Sequence, residues 1–197
     1  MPFNFKLIAA LLAISWVSLS EAAYSGIASN LTLYAYGANI TGLTIFYSDG
    51  LAYLGTTALS GASVTSNITF STTDPASETA TWNVTSIDSA FGTTPLLYIV
   101  PTVGSFSQVG FYSSSGNSSL PTGGTTTGFI LFGNYLSYIA SDGTMEQQFW
   151  AQATDTEGTW KLMWNAGGEG GVTADGYTIT PVIIKPRAPL VPGSTKE

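Results

Sequence analysis

Apolar and polar residues alternate along most of the chain in short runs, and no segment carries the apolar period of an amphipathic helix. The runs are rich in Thr, Val, Ile, Tyr, Phe and Trp, and clusters of Gly, Asp, Asn, Ser and Pro separate them. β-Branched and aromatic residues favour strands, whereas the separating residues favour turns. The pattern therefore predicts an all-β fold of many short strands.

Three dipeptides between these runs are typical of tight hairpin turns, namely Asp49-Gly50, Gly133-Asn134 and Asp142-Gly143. Two-residue hairpin loops need positive backbone φ angles, which Gly, Asn and Asp adopt most readily. Because such loops join neighbouring antiparallel strands, the architecture is predicted to be antiparallel.

The first and last alternating runs, residues 31–36 and 177–183, are predicted to pair as terminal strands and to close the domain. Between them, three units of about 40 residues each contain a Leu-x-Tyr-like strand, an apolar-x-Phe strand and an aromatic-x-aliphatic strand. The equivalent phenylalanines, Phe70, Phe111 and Phe149, are 41 and 38 residues apart. Three such units predict a β-trefoil, and an antiparallel β-sandwich is the alternative.

Strand alternation also assigns side chains to the two faces of the predicted sheets. The three equivalent phenylalanines are expected to point inward. Trp160, Leu162 and Trp164 share one face of their strand, and we expect that face to lie in the core.

Residues 1–22 have the organisation of a secretory signal peptide, with Lys6 as the positive charge before an apolar stretch that ends in small residues. The apolar stretch is shorter than the roughly 20 residues that cross a bilayer. We expect cleavage after Ala22, a single all-β domain at 23–184 and a disordered Pro-rich tail at 185–197.

The chain contains neither cysteine nor histidine. Without cysteine, packing rather than disulfide bonds must hold the domain together. Without histidine, the Ser-His-Asp and Cys-His catalytic arrangements and the His-based zinc sites are excluded.

The net charge is −7, from 12 acidic and 5 basic residues. Nucleic-acid binding needs a basic surface, so we expect no nucleic-acid partner. The C-terminal tail is rich in proline and charge rather than apolar, so we expect no membrane anchor. Only 9% of the residues are charged, and abundant Ser, Thr, Gly and Asn suggest the neutral polar surface of an extracellular protein.

Five sequons of the N-x-S/T type mark candidate sites of N-linked glycosylation. Their asparagines are Asn30, Asn39, Asn67, Asn83 and Asn117. A chain rich in Ser and Thr also produces sequons by chance, but five together favour a glycoprotein. With the signal peptide, they predict a secreted protein of the extracellular space or cell wall.

Acid–base chemistry in a chain without histidine depends on pairs of carboxylates. The nearest pairs are Asp155 with Glu157 and Asp142 with Glu146, and both lie in predicted turns, where such residues serve turn geometry and solvation. No calcium-loop motif occurs, and the glycine-rich stretch 167–171 lacks the ending of a phosphate-binding loop. We therefore predict no enzymatic activity, no cofactor and no metal site.

Aromatic rings offer the remaining candidate chemistry, because sugar-binding proteins stack apolar sugar faces on exposed Trp and Tyr. With the equivalent phenylalanines inward, alternation turns Trp150 and Tyr112 outward, and Gln148 and Gln152 flank Trp150 on its face. These four residues form the candidate carbohydrate site. A place in a second packed layer, or under a covering loop, is the alternative role for Trp150.

Short motifs between residues 31 and 138 carry a resemblance to a known group of proteins. They include a strand ending in Leu-Gly, a Trp-x-Val strand and a strand that begins with Leu-Tyr. The matching segments are 31–37 (LTLYAYG), 49–55 (DGLAYLG), 80–84 (ATWNV), 97–100 (LYIV), 107–111 (SQVGF) and 127–129 (TGF). In these motifs the chain resembles fungal (ascomycete) secreted cell-wall proteins of the phialide-associated type and related uncharacterised secreted proteins.

The resemblance implies a non-enzymatic protein of the hyphal or conidial wall or of the secretome, and it carries over no catalytic residue. Three functions therefore stay open. The first is a structural or surface component of the wall, and the second is a lectin-like module that binds cell-wall polysaccharide or another glycan. The third is a secreted inhibitor or effector, for which fold analogy is the only support.

Overall fold

The computed structural model describes residues 26–55, 59, 61–88, 91–114, 119–168 and 170–187. Within these ranges the chain forms fourteen β-strands and no helix. Accordingly, none of the described residues belongs to a helix with the length and apolarity of a membrane span. The predicted signal peptide and Asn117 lie outside the described residues.

The strands are β1 (Ala28–Gly37), β2 (Ile40–Ser48), β3 (Leu51–Leu54), β4 (Thr65–Thr72), β5 (Asn83–Ser86), β6 (Leu96–Tyr98), β7 (Phe106–Gln108), β8 (Gly110–Tyr112), β9 (Phe129–Phe132), β10 (Tyr135–Ile139), β11 (Met145–Glu146), β12 (Phe149–Ala153), β13 (Trp160–Asn165) and β14 (Ile179–Arg187).

Ten of these strands form one closed barrel. Their order is β12-β14-β1-β2-β4-β5-β6-β8-β3-β13, and the pairing of β13 with β12 closes the ring. β7 adds to β13 beside the ring, and β11-β10-β9 form a separate sheet. Every strand pair is antiparallel, which confirms the predicted all-β, antiparallel class.

The predicted turns lie where the sequence places them. Asp49-Gly50 joins β2 to β3 with φ angles of 47° and 86°, and Gly133-Asn134 joins β9 to β10 with φ angles of 53° and 68°. Asp142-Gly143 lies within a longer loop between β10 and β11. The left-handed backbone explains why these residue types occupy the two tight loops.

The terminal strands β1 and β14 pair as predicted, with Tyr34 opposite Lys185. β14 continues to Arg187, so the prediction of a disordered segment from residue 185 is wrong for its first three residues. Residues 188–197 lie outside the described part of the chain.

The three sequence units do not become equivalent in the structure. Their first strands are β3, β6 and β10, of which β3 and β6 belong to the barrel and β10 to the separate sheet. Neither the predicted trefoil nor the alternative sandwich is confirmed by this strand order. Alternation reports which face of a strand is buried, but it carries no information about which strands are neighbours.

β1 is shared between two partners. Its first part pairs with β4, where Leu31 lies opposite Phe70, and its later part pairs with β2, where Tyr34 lies opposite Thr44. Register shifts interrupt both pairings, and Asn30 has a φ of 54° within the first shift. Because β2 and β4 also pair with each other, these three strands meet at a junction.

One hydrophobic core unites the barrel with the separate sheet. Phe129 and Leu136 come from the sheet and are buried in the same cluster as the barrel residues. The rings of Tyr138 and Trp164 meet edge to face with centroids 5.6 Å apart, and Trp82 Nε1 donates a hydrogen bond to Phe129 O at 3.3 Å. The sheet is therefore packed onto the barrel and shares its core.

The predicted inward faces are confirmed. The buried members are Phe70, Phe111, Phe149, Leu162 and Trp164, and Trp160 is partly buried against them.

Lys185 supplies a second connection between the barrel and the sheet. Its Nζ lies 4.8 Å from the ring centroid of Tyr135 on β10 and 5.6 Å from that of Tyr36 on β1.

Lys185→Met retains most of the side-chain stem and removes the charge, so we expect it to lower the free energy of unfolding by about 1 kcal/mol. Lys161→Met is the control, since among the described residues no aromatic ring lies under Lys161. Equal losses of unfolding free energy in urea would contradict the role of the rings.

Candidate functional site

The β2–β3 hairpin, β8 and the loop before β6 enclose a groove of about 640 Å³. Its aromatic lining consists of Tyr47, Phe91, Tyr98, Phe111 and Tyr112, and we call this site the aromatic groove. The rings come from four separate stretches of the chain, so the groove exists only in the folded barrel.

The rings of the aromatic groove contact one another. Tyr47 and Phe111 stack with centroids 5.5 Å apart and planes 25° apart, and Phe91 lies 4.7 Å from Tyr47 at a tilt of 46°. Phe111 is anchored because its N–H donates to Gly50 O at 2.8 Å, which ties β8 to the hairpin turn. The Tyr47 ring is thus held between the core ring of Phe111 and the loop ring of Phe91.

Tyr98 lies against the backbone of its neighbour on β8. A Cβ atom at Gly110, which is opposite Tyr98, would lie 2.6 Å from the tyrosine ring. Glycine is therefore required at this position for Tyr98 to lie flat along the wall of the groove. Pro95, which is buried, lines the groove immediately before β6.

Polar groups lie beside the rings. Thr93 Oγ1 and Ser113 Oγ are 2.6 Å apart and tie the loop before β6 to the end of β8. Asp49 accepts hydrogen bonds from Val64 N at 2.8 Å and Ser63 N at 2.9 Å, one on each carboxylate oxygen. The Asp49 carboxylate thus holds in place the chain segment that leads into β4.

The electrostatics of the groove are set by one carboxylate, that of Asp49, and by tyrosine hydroxyls. Burial raises the pKa of the Tyr98 hydroxyl, and burial together with the nearby Asp49 charge raises that of Tyr47 against the opposite effect of a Gly50 backbone hydrogen bond. Both hydroxyls therefore stay protonated at neutral pH. No Lys or Arg occurs among the described residues that line the groove.

The candidate site predicted around Trp150 is separate from this groove. Trp150 lies on the outer face of β12, half-buried between Met163 of β13 and Pro181 of β14. Gln152 shares that face but is only 7% exposed, and Gln148 is half-buried with an Oε1 that has no hydrogen-bond partner among the described residues.

Tyr112 lines the aromatic groove, whereas Trp150, Gln148 and Gln152 do not. β3 and β13 lie between β8 and β12 in the barrel. The structure thus divides the four predicted residues between two surfaces.

The sequence analysis did not predict Phe91 as part of a site. Phe91 lies in irregular chain, where no alternation of apolar and polar residues indicates the direction of a ring.

The carboxylates considered for acid–base chemistry lie outside the aromatic groove. Hydrogen bonds from Thr144 lower the pKa of Asp142, and burial followed by the charge of Asp142 raises that of Glu146. Asp155 accepts a hydrogen bond from the Tyr177 hydroxyl at 3.0 Å, which raises the pKa of Tyr177. Asp142 thus accepts a hydrogen bond within its own turn, whereas Asp155 holds the hydroxyl of a tyrosine 22 residues away.

Among the described residues, no three side chains of the Asp, Glu, His or Cys type lie close enough together to hold a metal ion. The residues of the aromatic groove likewise offer no charged cluster suited to a metal. The chemistry available there is stacking on rings, together with hydrogen bonding to hydroxyls and to the Asp49 carboxylate.

A scan against protein-family models, a search of curated proteins and a search of solved structures each found no match. The resemblance to ascomycete cell-wall proteins of the phialide-associated type therefore stays a prediction from the short motifs.

Proposed function

We propose that this chain is a secreted, N-glycosylated protein of the extracellular space or cell wall, which acts by binding and without catalysing a reaction. The signal-peptide pattern, the five sequons and the absence of histidine and cysteine from the sequence support this proposal. The aromatic groove is the observation that carries the binding role, and neutral polysaccharide is the ligand we assign to it.

The chemistry of the aromatic groove favours a neutral sugar chain. Sugar rings present apolar C–H faces that pack on aromatic rings, and the half-buried rings of Tyr112 and Phe91 offer such surfaces. Thr93 and Ser113 beside the rings can exchange hydrogen bonds with sugar hydroxyls. A polyanionic sugar is disfavoured, because the described lining has no basic residue and the chain carries a net charge of −7.

Binding to laminarin, a soluble neutral β-glucan, tests the proposal by calorimetry with Tyr112→Ala and Phe91→Ala. Each variant is expected to weaken binding about tenfold, equivalent to roughly 1.4 kcal/mol, because one stacking surface is lost. Trp150→Ala is the matched control and should bind like the wild type. Polygalacturonate, which is anionic, should not bind.

Two results would contradict the assignment. If Trp150→Ala abolishes binding while the groove variants retain it, the sugar site lies on the outer face of β12. If no neutral polysaccharide binds, the groove has another role, and a purely structural place in the wall is then tested by fractionation. Recovery from the culture medium alone, with no affinity for isolated walls, would contradict a structural place in the wall.

A further inference from the structure

A small cleft lies at the junction of β1, β2 and β4. It has a volume of about 200 Å³, and we call it the junction cleft; its lining residues are Thr32, Thr44, Ile45, Asn67, Ile68 and Ile87. Ile45 and Ile68 are buried in the core, whereas Ile87 is 61% exposed. The junction of three strands thus leaves apolar surface open beside an asparagine.

Asn67 is fixed in position beside Ile87. Its backbone N–H donates to Asp88 Oδ2 at 2.8 Å, and its carbonyl oxygen accepts from Ile87 N at 2.8 Å. Its side chain is exposed, and within the described part of the chain its amide makes no hydrogen bond. The amide nitrogen is therefore available for modification at a rigid point of the surface.

The other sequon asparagines that the structure describes differ from Asn67 in their backbone or their surroundings. Asn30 and Asn39 have φ angles of 54° and 61°, in the left-handed region where asparagine is enriched for conformational reasons alone. Asn67 lies in β4, where asparagine is a poor strand former. Asn83 also lies in a strand, but it does not line the junction cleft.

We propose that Asn67 carries an N-linked glycan whose first N-acetylglucosamine packs into the junction cleft and covers Ile87. This inference rests on the proposed secretion and glycosylation of the chain. In the transfer step, Asn67 Nδ2 loses a proton and bonds to C1 of the sugar. The C1–O bond to the diphosphate of the lipid-linked donor breaks, and the diphosphate leaves.

The cleft suits the first sugar in shape and chemistry. The C–H face and acetyl methyl group of the sugar can contact Ile87, which removes apolar surface from water. Thr32 and Thr44 line the same cleft, and their hydroxyls can exchange hydrogen bonds with the polar groups of the sugar, Thr44 as an acceptor because its Oγ1 already donates to Gly55 O at 3.0 Å. The glycan therefore acts as an extra packing element of the fold.

The test uses the full chain secreted from a glycosylating eukaryotic host, with site occupancy read by peptide mass spectrometry. Thr69→Ala removes the sequon of Asn67, and we expect it to lower the thermal midpoint by about 2–4 °C. Thr69→Ser keeps the sequon and should retain both the glycan and the midpoint. Thr41→Ala removes the sequon of Asn39 without changing that asparagine, and should leave the midpoint unchanged.

Two further measurements separate the sugar from the strand. In unglycosylated protein made in bacteria, Thr69→Ala should lower the thermal midpoint less than it does in the glycosylated protein, because only the strand preference of threonine is then lost; equal losses in the two proteins would overturn the role of the sugar. Trimming the glycosylated protein to a single N-acetylglucosamine should retain the stabilisation, because only the first sugar enters the cleft. Ile87→Ala should lower the midpoint more in the glycosylated than in the unglycosylated protein.

The outcomes distinguish this inference from the proposed function. Occupied sequons elsewhere with an empty Asn67 would overturn the inference and leave the secreted glycoprotein intact. An occupied Asn67 whose removal leaves the midpoint unchanged would also overturn it. A secreted chain with no sugar on any sequon would overturn the inference together with the proposed glycosylation.

Discussion

Gly128→Ala is expected to lower the free energy of unfolding by on the order of 4 kcal/mol, from backbone strain and overpacking together. Gly128 has a φ of 96°, and a Cβ atom there would lie 2.3 Å from Cε2 of Tyr138. Tyr138 cannot move aside easily, because its ring lies 6.1 Å from Phe129 and 5.6 Å from Trp164 between centroids. While the Tyr138 ring keeps this position, the new methyl group therefore has no space.

Gly143→Ala separates the two contributions. Gly143 has a φ of 84°, but a Cβ atom there would meet nothing within 4 Å, so only backbone strain of about 1–2 kcal/mol is expected. Urea unfolding of both variants measures the difference. If Gly128→Ala lowers the free energy of unfolding no more than Gly143→Ala does, the ring of Tyr138 repacks and the overpacking argument is wrong.

The consequence of Gly128→Ala extends beyond one contact, because Gly128 lies where the separate sheet is attached. Its N–H donates to Glu78 O at 2.6 Å, and its carbonyl accepts from Ile139 N at 2.8 Å. On β9, which begins at the next residue, Leu131 N donates to Pro75 O at 2.7 Å. A displaced Tyr138 would therefore disturb the hydrogen bonds that attach β9 to Glu78 and Pro75.

The faces of the strands could be predicted from the sequence, whereas their neighbours could not. Phe70, Phe111 and Phe149 are buried as alternation requires, and Asp49-Gly50 forms a two-residue turn because both residues tolerate positive φ. These signals are local. The pairing of β3 with β8 and β13 joins segments more than 50 residues apart, and no local pattern specifies it.

The same limit applies to the candidate site. Alternation identified Tyr112, which belongs to the aromatic groove. Phe91 comes from irregular chain, and it contacts Tyr47 only because the folded barrel brings the two residues together. On β12, alternation assigns Gln152 to the outer face, yet the side chain is buried with Lys161 and Ile179 as its cross-strand neighbours. An outward direction therefore does not establish exposure when neighbouring side chains are large.

The second large effect is expected at a pair of fully buried tryptophans. Both Trp82 and Trp164 have no exposed surface, but their indole N–H groups differ. Trp82 Nε1 donates to Phe129 O at 3.3 Å, whereas Trp164 Nε1 has no hydrogen-bond partner among the described residues. Substitution of each by phenylalanine removes similar volume and tests the value of the bond.

Trp82→Phe is expected to lower the free energy of unfolding by about 3 kcal/mol, since it combines lost packing with the loss of a buried hydrogen bond. Trp164→Phe should cost only about 1 kcal/mol, because the lost packing is offset by removing an unpaired buried donor. Urea unfolding followed by tyrosine-region circular dichroism measures both values. Equal losses would mean that Trp164 Nε1 is satisfied in solution, and a larger loss at Trp164 would show that indole packing outweighs the hydrogen bond. If Trp82→Phe instead lowers the free energy of unfolding more than Trp164→Phe, as we expect, the hydrogen bond of Trp82 to Phe129 on β9 is a principal attachment of the separate sheet.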